Sequence, residues 1–125
     1  MQRHCHVKKG EEVVVVNIEK TVISGNPKRI VEVYEGRRSI QNKSNPTHSP
    51  KWPRRPDYLF KRIMQGMVPK TRKGEIVLKK FQAHIGVPAE FAEKAKKAET
   101  TKKLASNLLC RSITLGEVCA QLGWK

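Results

Sequence analysis

"EEVVVVNI", residues 11–18, places two acids before an unbroken run of four valines. Such a run lacks the apolar–polar alternation of a strand with one wet face. β-Branched side chains also favour extended backbone, so it predicts a strand buried on both faces, the kind parallel sheets use. "SGNP" then turns the chain, and residues 26–36, "NPKRIVEVYEG", predict a helix. Asn26 caps it, Pro27 fits its first turn, Gly36 ends it, and Ile30, Val33 and Tyr34 share one face.

Further on, Asp57 is expected to cap a helix reaching Met67, with Leu59, Phe60, Ile63, Met64 and Met67 as its apolar stripe. Lys61, Arg62 and Gln65 point away. "VPKTRKG" reads as a loop, "EIVLKKF" as a short helix, and "FQAHIGVP" as a strand ended by Gly86 and Pro88. "PAEFAEKAKKAETTKK" predicts a charged helix with Phe91, Ala95 and Ala98 as a narrow stripe. In the closing "ITLGEVCAQLGWK", Thr114 and Glu117 have the spacing of a capping box, and Ile113 can staple against Val118. Strands alternating with helices give the α/β class. A chain of 125 residues is expected to be one domain: a core over 11–88 with a basic loop at 37–56, then a C-terminal helical extension over 89–125.

Charge is the strongest functional signal. The net charge of +15 exceeds what solubility needs and calls for an anionic partner. Residues 26–80 hold fifteen basic residues against four acids, and between Gly36 and Lys73 there are eleven against Asp57 alone. The footprint is central, not a basic tail. Residues 37–56, "RRSIQNKSNPTHSPKWPRRP", have no hydrophobic period, and an irregular stretch that long usually means function or disorder. Arg54 and Arg55 can each fork onto a phosphate, whereas Lys51, Lys61, Lys70 and Lys73 act as point charges. Pro53 and Pro56 restrict the backbone, which lowers the entropy lost on ordering. Trp52 has two readings: a platform for an unpaired base, or packing beneath the loop. The neutral cap at Asn26, beside Lys28 and Arg29, suits phosphate better than the start at Asp57, where a carboxylate already stands. An ordinary capped helix is the alternative there.

Other chemistries have little support. Asp57 is the chain's one aspartate and the ten glutamates are scattered, so the clustered carboxylates of a metal-dependent nuclease are missing. Neither GxxxxGK[ST] nor GxGxxG occurs. His4, Cys5 and His6 are consecutive, and Cys110 and Cys119 form no CxxC pair, so no metal site or cofactor is expected. His84 alternates with the apolar residues of its strand and reads as structural. Three cysteines without paired spacing favour free thiols in a reducing compartment. No apolar run approaches the ~20 residues that span a bilayer, and the first ten residues lack the apolar stretch of a secretory signal. The reading is a cytosolic protein with no membrane partner and no small-molecule substrate.

"VVVVNIEKTVISGN" and, more specifically, "MQGMVPKTRKGEIVLKKFQAHIG" resemble the universal L-thirteen family of large-subunit ribosomal proteins, in its archaeal and eukaryotic form. The second stretch carries the family's Gly-Met-aliphatic-Pro core at Gly66, Met67, Val68 and Pro69, then a basic loop, Gly74, and a strand ending in Gly86. The resemblance runs from about residue 11 to the end and is weakest over 92–108. It implies a three-layer α/β/α fold around a small parallel sheet and a non-catalytic structural role on rRNA beside neighbouring large-subunit proteins. It also sets the loop 37–56 and the "VPKTRK" turn against rRNA. With the charge pattern, the expected RNA-binding residues are Lys28, Arg29, Arg37, Arg38, Lys43, His48, Lys51, Trp52, Arg54, Arg55, Lys61, Arg62, Lys70, Arg72 and Lys73.

Three positions depart from the family pattern. Gln65 stands where a basic residue is common, and His84 where an aromatic is usual. Family members also open with a strand and a helix of which only the end is found here; the expectation is a start upstream of Met1, the alternative a shortened variant. Two functional classes compete with the ribosomal reading: a free RNA-binding regulator acting off the ribosome, and an RNA-processing enzyme, against which the scattered acids argue.

Overall fold

The computed structural model describes residues 12–96 and 109–125. They divide into two compact units: one draws on residues up to Ile18 and on Asp57–Ala98, the other on Glu19–Pro56 and on the chain from Glu99 to Lys125.

In the first unit, β1 (Val13–Val15) pairs in parallel with β3 (Phe81–Ala83), Val13 opposite Phe81 and Val15 opposite Ala83. The parallel pairing expected of the valine run is present, but burial on both faces is not. Val15, Phe81 and Ala83 are buried, while Val14 and its partner Gln82 are exposed. Side chains alternate across a strand, so a two-stranded ribbon packed on one face leaves every second residue outside. Beyond the strands the backbones stay tied: the His84 N–H donates to the Val15 carbonyl at 2.9 Å, and the Asn17 N–H to that of Gly86 at 2.9 Å.

Helix α2 (Pro56–Met67) lies in this unit apart from Pro56, its first residue, and contributes Leu59 and Met64 to the buried set, with Val68 just beyond it. Phe60 stacks on Phe81 at 5.9 Å. Met67, expected in the stripe, is exposed. Nor is Asp57 the cap. Proline's fixed φ suits the first helical position, so Pro56 opens the helix and Asp57 falls inside its first turn. Helix α3 (Arg72–Lys79) begins inside the stretch read as a loop, because Thr71 caps it by accepting from the Gly74 N–H. The charged segment after Pro88 forms a short 3-10 turn, Ala89–Phe91, and then α4 (Ala92–Lys96). Ala98 and the remainder of that expected helix lie outside the described residues.

In the second unit, β2 (Val22–Ser24) runs antiparallel to β4 (Ser112–Thr114), with Ile23 opposite Ile113. Neither strand was expected: β2 ends where the "SGNP" turn begins, and β4 ends on the cap residue Thr114. Helix α1 (Pro27–Ser39) starts on Asn26 as expected but runs through Gly36, whose φ is not positive, and ends at Ile40. Its inward face is Ile30, Val31 and Tyr34 rather than Ile30, Val33 and Tyr34, since positions i, i+1 and i+4 form the arc that meets the core. That core joins Val31 to Ile113, Val118 and Leu122.

Helix α5 (Leu115–Gln121) carries the full capping box: the Glu117 N–H donates to Thr114 Oγ1 at 3.2 Å, and the Thr114 N–H to Glu117 Oε2 at 3.1 Å. Its far end closes on Gly123 at φ +89°, with Trp124 N–H donating to Cys119 and Gly123 N–H to Ala120, the two bonds of a Schellman cap. Cys119 is buried and Cys110 exposed; both are thiols.

Candidate nucleic-acid interface

The fifteen residues expected to meet RNA divide between the units, ten in the second and five in the first. In the second unit they start where α1 does. Asn26 Oδ1 accepts from the Lys28 N–H at 3.2 Å, and the first turn holds no acid, so Lys28 and Arg29 flank an uncharged helix start and are exposed. At α2 the situation is reversed: Asp57 Oδ1 accepts from the Tyr58 N–H at 2.8 Å and sets a carboxylate in the first turn. Free N–H groups at a helix start favour anions, so of these two ends the one at Asn26 is the better suited to phosphate.

Arg37 and Arg38, expected in the loop, are helical residues of the last turn of α1, where the negative end of the helix dipole favours cations. The Arg37 guanidinium lies 5.5 Å from the centre of the Tyr34 ring and 5.0 Å from that of Trp52. Tyr34 and Trp52 meet edge-on, 6.1 Å apart at 68°. Arg38 Nη1 donates to the Leu122 carbonyl at 3.1 Å. Trp52 is half-buried, in keeping with packing beneath the loop. Burial pushes the Tyr34 phenol above its ordinary pKa; Arg37 opposes the shift and Cys119 adds to it.

The irregular segment is shorter than expected, residues 40–55, and it has local order. Asn45 caps a 3-10 turn at Pro46–His48 by accepting from the Thr47 N–H at 3.2 Å. Asn42 spans that turn, its Nδ2 donating to the His48 carbonyl at 3.1 Å and its N–H to Ser49 Oγ at 3.0 Å. Lys43, His48, Lys51, Arg54 and Arg55 are exposed around this frame. Arg54 Nη1 comes within 3.5 Å of where a Cβ on Gly123 would stand, so the end of α5 lies beside it.

In the first unit Lys61 and Arg62 are exposed on α2, and Arg62 Nη1 donates to Gln65 Oε1 at 3.1 Å. Lys70, Arg72 and Lys73 are exposed around the start of α3. Gly74 makes that turn possible: a Cβ there would overlap the Pro69 carbonyl and stand 2.9 Å from Val68 Cγ1. His84 is packed against Phe91 at 5.7 Å with its Nε2 buried. Among the described residues no group of three His, Cys, Asp or Glu could hold a metal, and no helix is long and apolar enough to cross a membrane. His4, Cys5 and His6 lie outside the described residues.

Sequence reasoning missed three participants: Tyr34, Leu122 and Gly123. Tyr34 and Arg37 are three residues apart on a helix, the spacing at which side chains meet, so that pair was readable. The approach of Arg38 and Arg54 to the last turn of α5 joins distant parts of the chain and has no local signature.

Residues 2–90 match a family model described as Ribosomal protein L13. The chain is 35% identical over 119 residues to the large ribosomal subunit protein uL13 of Saccharolobus solfataricus, spanning 94% of this chain and 79% of that protein. The Methanocaldococcus jannaschii protein of the same name is 37% identical, with 95% and 84% covered. The one from Aeropyrum pernix is 40% identical, with 93% and 76% covered.

Proposed function

The chain belongs to the ribosomal protein L13 family, and from that premise we propose that it is a structural, non-catalytic constituent of the large ribosomal subunit that holds folded rRNA. The single observation that carries this reading is the eleven-to-one excess of cations over acids between Gly36 and Lys73, displayed on capped helices and a locally ordered segment. In the second unit, Lys43, His48, Lys51, Arg54 and Arg55 meet phosphates along the segment, with Lys28 and Arg29 at the uncharged start of α1. In the first unit, Lys61, Arg62, Lys70, Arg72 and Lys73 do so around α2 and the start of α3.

Folded rRNA sets phosphates close together in a fixed shape. A pre-shaped array of cations therefore reads backbone geometry rather than base sequence. On this reading the protein works in the cytoplasm beside other large-subunit proteins, without cofactor or small-molecule substrate.

The test is sedimentation of a native lysate through sucrose at moderate and at high salt, with this chain detected in each fraction. Co-migration with the large subunit at both salts is the expected result. Slow sedimentation at both would overturn the proposal and favour a regulator acting off the ribosome.

A further inference from the structure

Trp52 sits near the C-terminal end of the segment 40–55 and lies against helix α1. Arg37 lies over its ring at 5.0 Å and Tyr34 meets it edge-on at 6.1 Å. Both partners belong to α1, which is folded by its own cap and core contacts. A guanidinium within about 6 Å of a ring centre is held by the ring's negative face, and here one guanidinium serves two rings. Elsewhere in the segment, Arg54 lies beside Gly123, and Asn42 closes the turn between Pro46 and His48.

We propose that Tyr34, Arg37 and Trp52 are positioning residues, a stack internal to the protein that fixes the segment 40–55 on α1 before any nucleic acid arrives. Trp52 is then not a base platform and Arg37 not a phosphate ligand. Their task is to present Lys43, Lys51 and Arg55 in place, which spares the entropy of ordering a sixteen-residue segment on binding. What the segment is presented for rests on the rRNA-binding reading; that it is fixed is a property of the free chain.

The experiment uses the full chain carrying Trp124→Phe, which leaves Trp52 as its single tryptophan. Without RNA, acrylamide should quench Trp52 weakly, and a saturating rRNA fragment should leave that quenching unchanged. Trypsin cleavage after Lys43 and Lys51 should quicken about five- to thirtyfold in Arg37→Ala, the factor that loss of two such contacts carries through a local opening equilibrium. Cleavage after Lys20 should not change. Arg37→Lys, a milder replacement that keeps the charge, should fall between.

In RNA titrations Arg37→Ala should weaken binding while keeping the slope of log K against log salt, because the bound state keeps its phosphate contacts. Loss of about 0.7–0.9 from that slope would make Arg37 a phosphate ligand and overturn the proposal. So would unchanged cleavage in Arg37→Ala, or a Trp52 that becomes shielded only when RNA is added. If the wild-type chain binds no rRNA, the functional reading fails, while quenching and cleavage in the free protein still decide the stack.

Discussion

Two glycines inside helices show how neighbouring atoms override intrinsic propensity. Alanine is favoured over glycine in a helix interior by about 1 kcal/mol. Around Gly36 of α1 nothing lies within 4 Å of an added Cβ, so Gly36→Ala should stabilise the second unit by about 0.5–1 kcal/mol. At Gly74 the added carbon would meet the Pro69 carbonyl, and that oxygen is fixed by accepting from the Thr71 N–H at 2.8 Å. Overpacking costs about 1–3 kcal/mol where neighbours can shift. Backbone shifts poorly, so Gly74→Ala should lose about 2 kcal/mol despite its better propensity. Urea denaturation of each variant checks the pair: one midpoint should rise and the other fall. A stabilised Gly74→Ala would mean that the Pro69 turn is not tight. The contrast also explains why Gly36 misleads as a helix stop. Glycine ends helices by taking positive φ, which Gly123 does and Gly36 does not.

Helix α5 is seven residues long, below the length at which a helix persists on its own, so it depends on its cap and its packing. Thr114→Ala removes the acceptor for the Glu117 N–H and should cost about 1 kcal/mol, seen as a lower thermal midpoint and faster amide exchange at Glu117. If exchange there stays slow, packing of Leu115 and Val118 alone holds the first turn. This capping box was legible beforehand because its two residues are three apart. The same holds for the cap at Asn26 and for the valine strand. Strands β2 and β4 were not legible: each is three residues long, and they join positions about ninety apart, which no local pattern records. The start of α3 was obscured for a different reason. Three cations around Thr71 read as a loop, whereas a cap needs only the threonine oxygen and the Gly74 N–H. At the candidate site, the density of Lys and Arg was legible from composition. The partners of the arginines were not, since Arg37, though exposed, lies over the Trp52 ring and half-buried Arg38 donates to the Leu122 carbonyl.

Both compact units carry exposed cations, so the proposed rRNA binding has three forms, through the first unit, the second, or both. Salt dependence separates these cases, because each phosphate contact releases counterions and adds about 0.7–0.9 to the log–log slope. The second unit is probed by Arg54→Ala with Arg55→Ala, the first by Lys70→Gln with Lys73→Gln. All four positions are exposed, and none lies in the buried core. If both units bind, each double variant should flatten the slope by about 1.4–1.8, two contacts' worth, and the quadruple variant by about twice that. Additivity is expected for sites without shared partners. Circular dichroism of Arg54→Ala alone guards against an indirect effect through its neighbour Gly123. A slope unmoved by the Lys70 and Lys73 pair would assign binding to the second unit alone. The basic turn at α3 would then face solvent, and the family's Gly-Met-aliphatic-Pro signature would serve packing around Gly74 rather than rRNA.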